Sequence, residues 1–215
     1  MLNIAIDGPA GAGKSTAAKI IAEKLGILYL DTGAMYRAIG LKALRLGIDT
    51  RDAERIAAML PDTAVTIKYI DGSQNIFLDG ENVTPYIREN KVSMAASDVS
   101  AIPAVRVKLV ELQRDIARNN DCILDGRDIG TYVLPSAEYK FYITATAEER
   151  AKRRHKELTD KGVDISYESV LKDIAERDKN DSTRAFAPLK KADDAFEFDT
   201  TTMSIDEVCL LYTSD

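Results

Sequence analysis

Gly8-Pro9-Ala10-Gly11-Ala12-Gly13-Lys14-Ser15 is a G-x-x-x-x-G-K-[ST] stretch set between an apolar run and a helical pattern. The residues before it, Leu2-Asn3-Ile4-Ala5-Ile6, read as a short buried strand. After Lys14, the residues Ala17, Ala18, Ile21, Ala22 and Leu25 recur at helical spacing until Gly26 closes the helix. A strand, a glycine-rich loop and a helix in that order make the context in which this spacing binds a nucleoside polyphosphate rather than merely turning the chain. The segment from Gly8 to Thr16 then offers backbone N–H groups to phosphates, Lys14 neutralises the terminal ones, and the Ser15 hydroxyl can ligate Mg2+.

Length and composition bound the rest. At 215 residues with 45% apolar content, the chain is long enough for one α/β domain with inserted lobes and short for two independent cores. Lys and Arg number 29 against 35 Asp and Glu, a net charge of −6, which argues against nonspecific nucleic-acid binding through a basic surface. Any anionic ligand must be held by locally placed arginines. The opening Met-Leu-Asn-Ile-Ala-Ile-Asp carries no basic leader, and no run approaches the ~18 apolar residues of a membrane span, so a soluble, cytoplasmic protein is expected. Cys122 and Cys209 make no metal or disulfide spacing and read as packing residues. His155, the single histidine, lies in a charged helical segment and reads as a surface residue rather than a base.

Outward from the first βα unit, Ile27 to Leu30 reads as a second strand entering Asp31-Thr32-Gly33, with a helix from about Ala34 to Gly47. From Val65 the texture changes: two short strands and a third, punctuated by Asp71-Gly72 and Asp79-Gly80, predict a small antiparallel meander set inside an alternating β/α chain. Helical texture resumes through Ser93 to Ser100, and Pro103 suits the opening of another helix. Cys122 to Asp125 is a short apolar strand followed by Gly126-Arg127-Asp128. Tyr139 to Thr144 reads as a strand, Ala147 to Lys161 as a charged helix, Tyr167 to about Asp178 as an amphipathic one, and Ala195 to Asp199 as the last strand. Ser204-Ile205-Asp206-Glu207 has the form of a capping box for a terminal helix.

Phosphoryl transfer needs two anionic substrates aligned, their charge neutralised and water kept out, so arginines should gather at the second substrate. Arg37, Arg127 and Arg184 each follow a cluster of Asp, Gly, Ser or Thr at what read as strand-to-helix junctions. Asp125 ends a strand as a Mg2+-reaching carboxylate does, directly or through water; the alternative is a helix N-cap.

Taken together, Gly8 to Thr16, Leu30-Asp31-Thr32-Gly33-Ala34-Met35-Tyr36-Arg37, Asp125-Gly126-Arg127-Asp128-Ile129-Gly130-Thr131 and the run from Glu176-Arg177-Asp178 through Asp181 to Arg184-Ala185-Phe186-Ala187-Pro188-Leu189 resemble the bacterial cytidylate kinases over essentially the whole chain. The resemblance implies an α/β fold: a P-loop domain with a parallel five-stranded sheet flanked by helices, an inserted monophosphate-binding lobe carrying a small antiparallel sheet, and a short helical lid. It implies one domain over 1–215, with core 1–32, 103–147 and 181–215, lobe about 33–102 and lid about 148–180. The implied reaction moves the γ-phosphoryl group of ATP, with Mg2+, to CMP or dCMP in a monomeric enzyme that needs no nucleic acid or membrane.

By the same resemblance, Thr32, Arg37, Arg127 and Arg184 surround the acceptor phosphate, and Lys14 joins these arginines as catalytic. Ser97, Arg106 and Asp128 form the cytosine end, and Arg177 and Asp181 meet the sugar. A carboxylate can accept from the exocyclic amine of cytosine while a guanidinium donates to its O2 and N3 acceptors; uracil reverses the pattern at position 4. Ser97 could instead cap a helix, and Asp128 could instead pair with Arg127. Arg150 or Arg154 meets ATP phosphates, the spacing not choosing between them. The rival readings are a kinase for UMP or shikimate, a GTP switch protein, which lacks its Asn-Lys-x-Asp segment, and a nucleic-acid module, which lacks an aromatic and basic stripe.

Overall fold

In the computed structural model, which describes residues 1–203, the chain falls into two compact units, Met1–Tyr29 with Asn120–Asp215, and Leu30–Asn119. The expected terminal helix with its Ser204 capping box, and Cys209, lie outside the described residues. The first unit is built on parallel strands: β1 (Asn3–Asp7), β6 (Cys122–Gly126), β7 (Tyr139–Thr144) and β8 (Phe196–Asp199), with β2 (Leu28–Asp31) at one edge. The order is β2-β6-β1-β7-β8. β1 is central, pairing in parallel with β6 (Asn3 opposite Cys122, Asp7 opposite Gly126) and with β7. This placement agrees with its composition, since a strand covered on both faces carries a continuous apolar run rather than an alternating one. Helix α1 (Lys14–Leu25) lays Ala17, Ala18, Ile21 and Ala22 against Ile4, Ile6, Ile123 and Ile143. Each fully buried isoleucine among them contributes about 1.5–3 kcal/mol, and each alanine about 0.8 kcal/mol. α1 ends on Gly26, whose left-handed φ of 66° lets its N–H reach back to the carbonyls of Ala22 and Glu23.

After β6 comes a single π-helical turn (Ile129–Val133) that the sequence pattern does not reveal. Further on, α6 (Ala147–Asp160) and α7 (Tyr167–Thr183) pack against each other through Ala151, Leu158, Val170 and Ile174. α7 runs five residues past the expected stop at Asp178. Arg177, Asp178 and Asp181 therefore share one helix, and Arg184 is its C-cap rather than part of a strand-to-helix junction. Their i, i+4 spacing puts Arg177 and Asp181 on one face.

The second unit holds α2 (Thr32–Arg45), α3 (Ala53–Met59), an antiparallel sheet of β3 (Val65–Ile70), β4 (Ser73–Leu78) and β5 (Glu81–Asn82), then α4 (Asn90–Ser100) and α5 (Pro103–Asn119). The sheet is the expected meander. At both turns an Asp near φ 50° precedes a Gly with φ of 72° or 87°, the pair of positive angles that a tight two-residue hairpin demands. α3 was not foreseen: at seven residues it is too short for its period to register, although Asp52 caps it by accepting from Arg55 N–H. α5, placed with the core by the sequence, belongs to this unit because it packs on α2, α3 and α4. Among the described residues, no helix is long and apolar enough to cross a membrane.

Candidate functional site: the phosphate loop and two arginine clusters

The loop between β1 and α1 is held by its carbonyls. Lys14 Nζ donates to Pro9 O at 2.7 Å, Arg150 Nη1 to Ala10 O at 3.1 Å, and Thr200 Oγ1 to Ala12 O at 3.2 Å. In a trans peptide the C=O and the following N–H point in opposite directions. Fixing these three carbonyls therefore turns the N–H groups of Ala10, Gly11 and Gly13 the other way, where an anion can collect them. Gly8 is obligatory: its φ is 143°, and a Cβ there would drive into the Ile143 carbonyl. Lys14 is buried, and that burial together with the Arg127 charge pushes its ammonium down to about 7, against the pull of Asp125, Asp7 and Asp181. A bound polyphosphate would add negative charge beside this lysine and favour its protonated form.

Asp125, the fourth residue of β6, is buried, and its Oδ2 accepts from Ser15 Oγ at 2.5 Å and from Tyr29 OH at 3.2 Å. It does not cap a helix. A hydroxyl and a carboxylate in contact are hard oxygen donors suited to Mg2+, which takes one or two protein ligands and completes its shell with phosphates and water.

In the first unit Arg127 and Arg184 are each met by a carboxylate. Arg127 Nε donates to Asp181 Oδ2 at 2.8 Å and its Nη1 to Gly126 O at 3.1 Å. Arg184 Nη2 donates to Asp128 Oδ1 at 3.2 Å and its Nε to Ala187 O at 2.6 Å. The pairing is crossed relative to expectation: Asp128 bonds Arg184, and Arg127 bonds Asp181. Burial would raise Asp181, but Arg127 and Arg184, with Arg177 behind them, hold its carboxyl below the ordinary range.

In the second unit Asp31 plays the corresponding part. Its carboxylate caps α2 by accepting from Ala34 N–H at 3.0 Å, and its Oδ2 accepts from Arg37 at 2.6 Å and Arg88 at 3.1 Å. Burial opposes its charge, yet the two guanidiniums win and lower its pKa. The Gln74 side chain of β4 grips the backbone of the same residue, accepting from Asp31 N–H at 2.7 Å and donating to Asp31 O at 3.3 Å. Thr32, the first residue of α2, is buried beside this carboxylate in sequence. Arg106, 1% exposed, donates to Ser100 O at 3.4 Å and lies 5.7 Å from the ring centroid of Tyr36. Ser97 sits inside α4, so it caps nothing, and its buried Oγ has no hydrogen-bond partner among the described residues.

Comparison with known proteins shows the family. A model of the family described as cytidylate kinase matches residues 4–213. The chain belongs to the cytidylate kinase family. It is 56% identical over 207 residues to the cytidylate kinase of Caldicellulosiruptor bescii, covering 96% of this chain and 92% of that one. It is 48% identical, over the same coverage, to the cytidylate kinase of Bacillus subtilis. Among solved structures, an uncharacterized protein from Eubacterium ventriosum superposes with a TM-score of 0.50 at 12% identity, over 99% of this chain and 96% of that one, a likeness of fold alone.

Within this family member the two arginines of α6 expected at the ATP phosphates divide. Arg150, only 4% exposed, also donates to Ala145 O and makes a two-pronged pair with Asp178 at 3.0 and 2.6 Å, so it braces the phosphate loop from behind. Arg154 pairs with Glu157 at 2.8 Å on a more open face. Arg153, for which no role was drawn from the sequence, donates to Thr200 O at 2.6 Å. His155 is half-buried rather than a surface residue, its Nε2 3.0 Å from Ile165 O. Cys122 is buried in β6, where burial pushes its thiol up to about 12, and is a packing residue as expected. Tyr29, Gln74, Arg88 and Thr200 were missed. Of these only Arg88 carried a sequence signal, an arginine just ahead of a helix.

Proposed function

We propose that the protein transfers the γ-phosphoryl group of ATP to CMP or dCMP, giving the diphosphate and ADP. The observation that carries this reading is the joint presence of a braced phosphate loop and carboxylate-held arginines in a member of the cytidylate kinase family. Gly8 to Thr16 bind the ATP phosphates, with Lys14 at the group transferred, and Arg150 and Arg154 belong to the lid over them. Ser15 and Asp125 would hold Mg2+, which would supply charge neutralisation of the ATP phosphates.

Thr32, Arg37, Arg127 and Arg184 receive the acceptor phosphate. The arginines exchange the carboxylates of Asp31, Asp181 and Asp128 for phosphate oxygens as the charge of the transferring group develops. Ser97, Arg106 and Asp128 read cytosine, the unsatisfied Ser97 hydroxyl and the Asp128 carboxylate supplying the polar edge. Arg177 and Asp181 meet the sugar. A phosphate oxygen of CMP is already an anionic nucleophile, so no strong general base is required. The lobe, about 33–102 and joined in the fold by α5, and the lid, about 148–180, are the segments that move to exclude water, while 1–32, 120–147 and 181–215 form the core. With its acidic balance, the protein is read as a cytoplasmic monomer whose partners are CMP and dCMP, not nucleic acid or membrane.

An acceptor panel of CMP, dCMP, UMP, AMP and shikimate with labelled ATP, with and without Mg2+, tests the proposal. CMP and dCMP should be the preferred acceptors and the Mg2+-free reaction should fail; UMP turned over better than CMP would overturn the base assignment. Asp128→Ala should impair CMP use far more than ATP binding.

A further inference from the structure

The roles above leave one buried carboxylate without work. Asp7 ends β1, immediately before the phosphate loop, and is 4% exposed. Both of its oxygens are committed: Oδ1 accepts from Ile129 N–H at 2.8 Å and Oδ2 from Gly130 N–H at 2.7 Å. These are the first two amides of the π-helical turn, groups that a helical turn leaves without an acceptor of its own. The residue that would ordinarily cap them is Asp128, but its side chain makes no cap bond and turns instead to Arg184. The cap is therefore supplied from 122 and 123 residues away in the chain.

The consequence for Asp128 is geometric. On its N-terminal side, Gly126 is fixed in the sheet opposite Asp7. On its C-terminal side, Ile129 and Gly130 are fixed by the Asp7 carboxylate, and the Asp128 carbonyl accepts from Tyr132 and Val133 N–H at 2.9 and 3.1 Å. We propose that Asp7 is the positioning residue that sets the Arg127–Asp128 segment for the acceptor nucleotide, so that one carboxylate aligns the phosphate loop of the donor with the segment that reads the acceptor base. This rests on the assignment of Asp128 to the exocyclic amine of cytosine.

The chemistry of the position supports the role. Burial pushes Asp7 up to about 7, with the nearby Asp128 charge adding to it, while the two backbone N–H groups and Lys14 pull the other way. A carboxylate buried against such a penalty is by itself a poor way to gain stability. What it does supply is a pair of acceptors in one plane for two successive amides. Asparagine, of the same shape, would meet one of those N–H groups with an N–H of its own.

The test compares wild type, Asp7→Asn, Gly130→Ala and Asp128→Ala in steady-state assays with CMP, UMP and varied ATP. In Gly130→Ala the new methyl would sit 3.4 Å from Asp7 Oδ2 and 3.2 Å from Lys140 Cδ, pressing on the same cap from its other side. Asp7→Asn should raise KM for CMP by about tenfold, the worth of one lost charge-assisted hydrogen bond, and lower the CMP-over-UMP preference in kcat/KM by a similar factor. KM for ATP should move by less than about threefold, and Gly130→Ala should show a weaker loss of the same kind. A merely structural residue would lower the melting temperature and leave the preference of the folded enzyme unmoved, and that result would overturn the proposal. So would a rise in KM for ATP with CMP unaffected, which would place the work of Asp7 at Lys14. If Asp7→Asn does not fold, Gly130→Ala alone decides. If Asp128→Ala keeps the wild-type preference, the assignment of Asp128 falls and the proposal with it. If Asp128→Ala loses the preference while Asp7→Asn and Gly130→Ala retain it, the Asp7 proposal alone is wrong.

Discussion

Asp181→Asn removes one charge from the crossed arginine pairs and keeps the side-chain shape. In the wild type the Asp181 side chain is 8% exposed, that of Arg127 21%, and their contact is 2.8 Å. Removing one partner of a buried pair costs about 3–5 kcal/mol, because the other charge is left uncompensated. The residual exposure of Arg127 and its second bond to Gly126 O favour the lower end, about 3 kcal/mol. At roughly 2–4 °C per kcal/mol for a chain of this size, the melting temperature should fall by about 6–12 °C at pH 7. The carboxyl of Asp181 titrates below its unfolded value of 3.8, so its contribution is complete above that pH and is lost as the pH falls through the folded pKa. The gap between wild type and variant should therefore narrow on acidification.

Inorganic phosphate sharpens the test, since it lacks the sugar that Asp181 is proposed to meet. With Asp181 neutral, Arg127 and Arg184 lose a counter-ion and phosphate can replace it. Millimolar phosphate should raise the melting temperature of Asp181→Asn by several degrees more than that of wild type. Differential scanning calorimetry at pH 7, in a phosphate titration, measures both quantities. A variant that melts with wild type, or one that phosphate stabilises no more than wild type, would refute the account of Asp181 as the counter-charge of the arginine cluster.

The remaining expectations concern other parts of the molecule. With Lys14 pushed down to about 7, ATP binding at pH 8 should take up close to one proton, seen by titration calorimetry in buffers of different ionisation enthalpy; an enthalpy independent of buffer would contradict it. Gln74→Leu cuts both bonds from β4 to the Asp31 backbone and should raise KM for CMP by roughly 5–30-fold with little change in KM for ATP, measured by initial rates. Gly40→Ala would place a methyl 3.0 Å from the backbone of Ala95 and Ala96, forcing α2 from α4, and should cost about 1–3 kcal/mol in urea unfolding.

Local features of this chain were open to reading because their causes are local. The strands Cys122–Gly126 and Tyr139–Thr144 are short apolar runs, α1 carries its stripe at helical spacing, and the meander is punctuated by two Asp-Gly pairs whose backbone angles few other residues accept. The phosphate loop was legible for the same reason. Partnership was not. Arg127 takes Asp181 from 54 positions away and Arg184 takes Asp128 from 56, and nothing in the spacing prefers these to the neighbouring Arg127–Asp128 contact. The π-helical turn escaped because its amides are satisfied by Asp7, from 122 positions upstream, rather than by any adjacent capping residue. α7 overran its expected end because Asp181, in the last turn, is held by Arg127 from 54 positions away, a partner that the apolar stripe does not show.

In each unit the carboxylates facing the arginines, Asp31 beside Arg37 and Asp181 and Asp128 beside Arg127 and Arg184, bear on which anions those arginines, on the proposed acceptor role, would ignore. A cell holds free phosphate and many small anions, and a bare cluster of guanidiniums would be permanently clogged by them. Because each arginine already has an internal anion, a lone phosphate arriving there gains only the difference between two similar contacts. On the proposed reading, a nucleotide that also brings a base and a sugar would gain more, so vigilance against common anions would be built in by residues that never leave the chain.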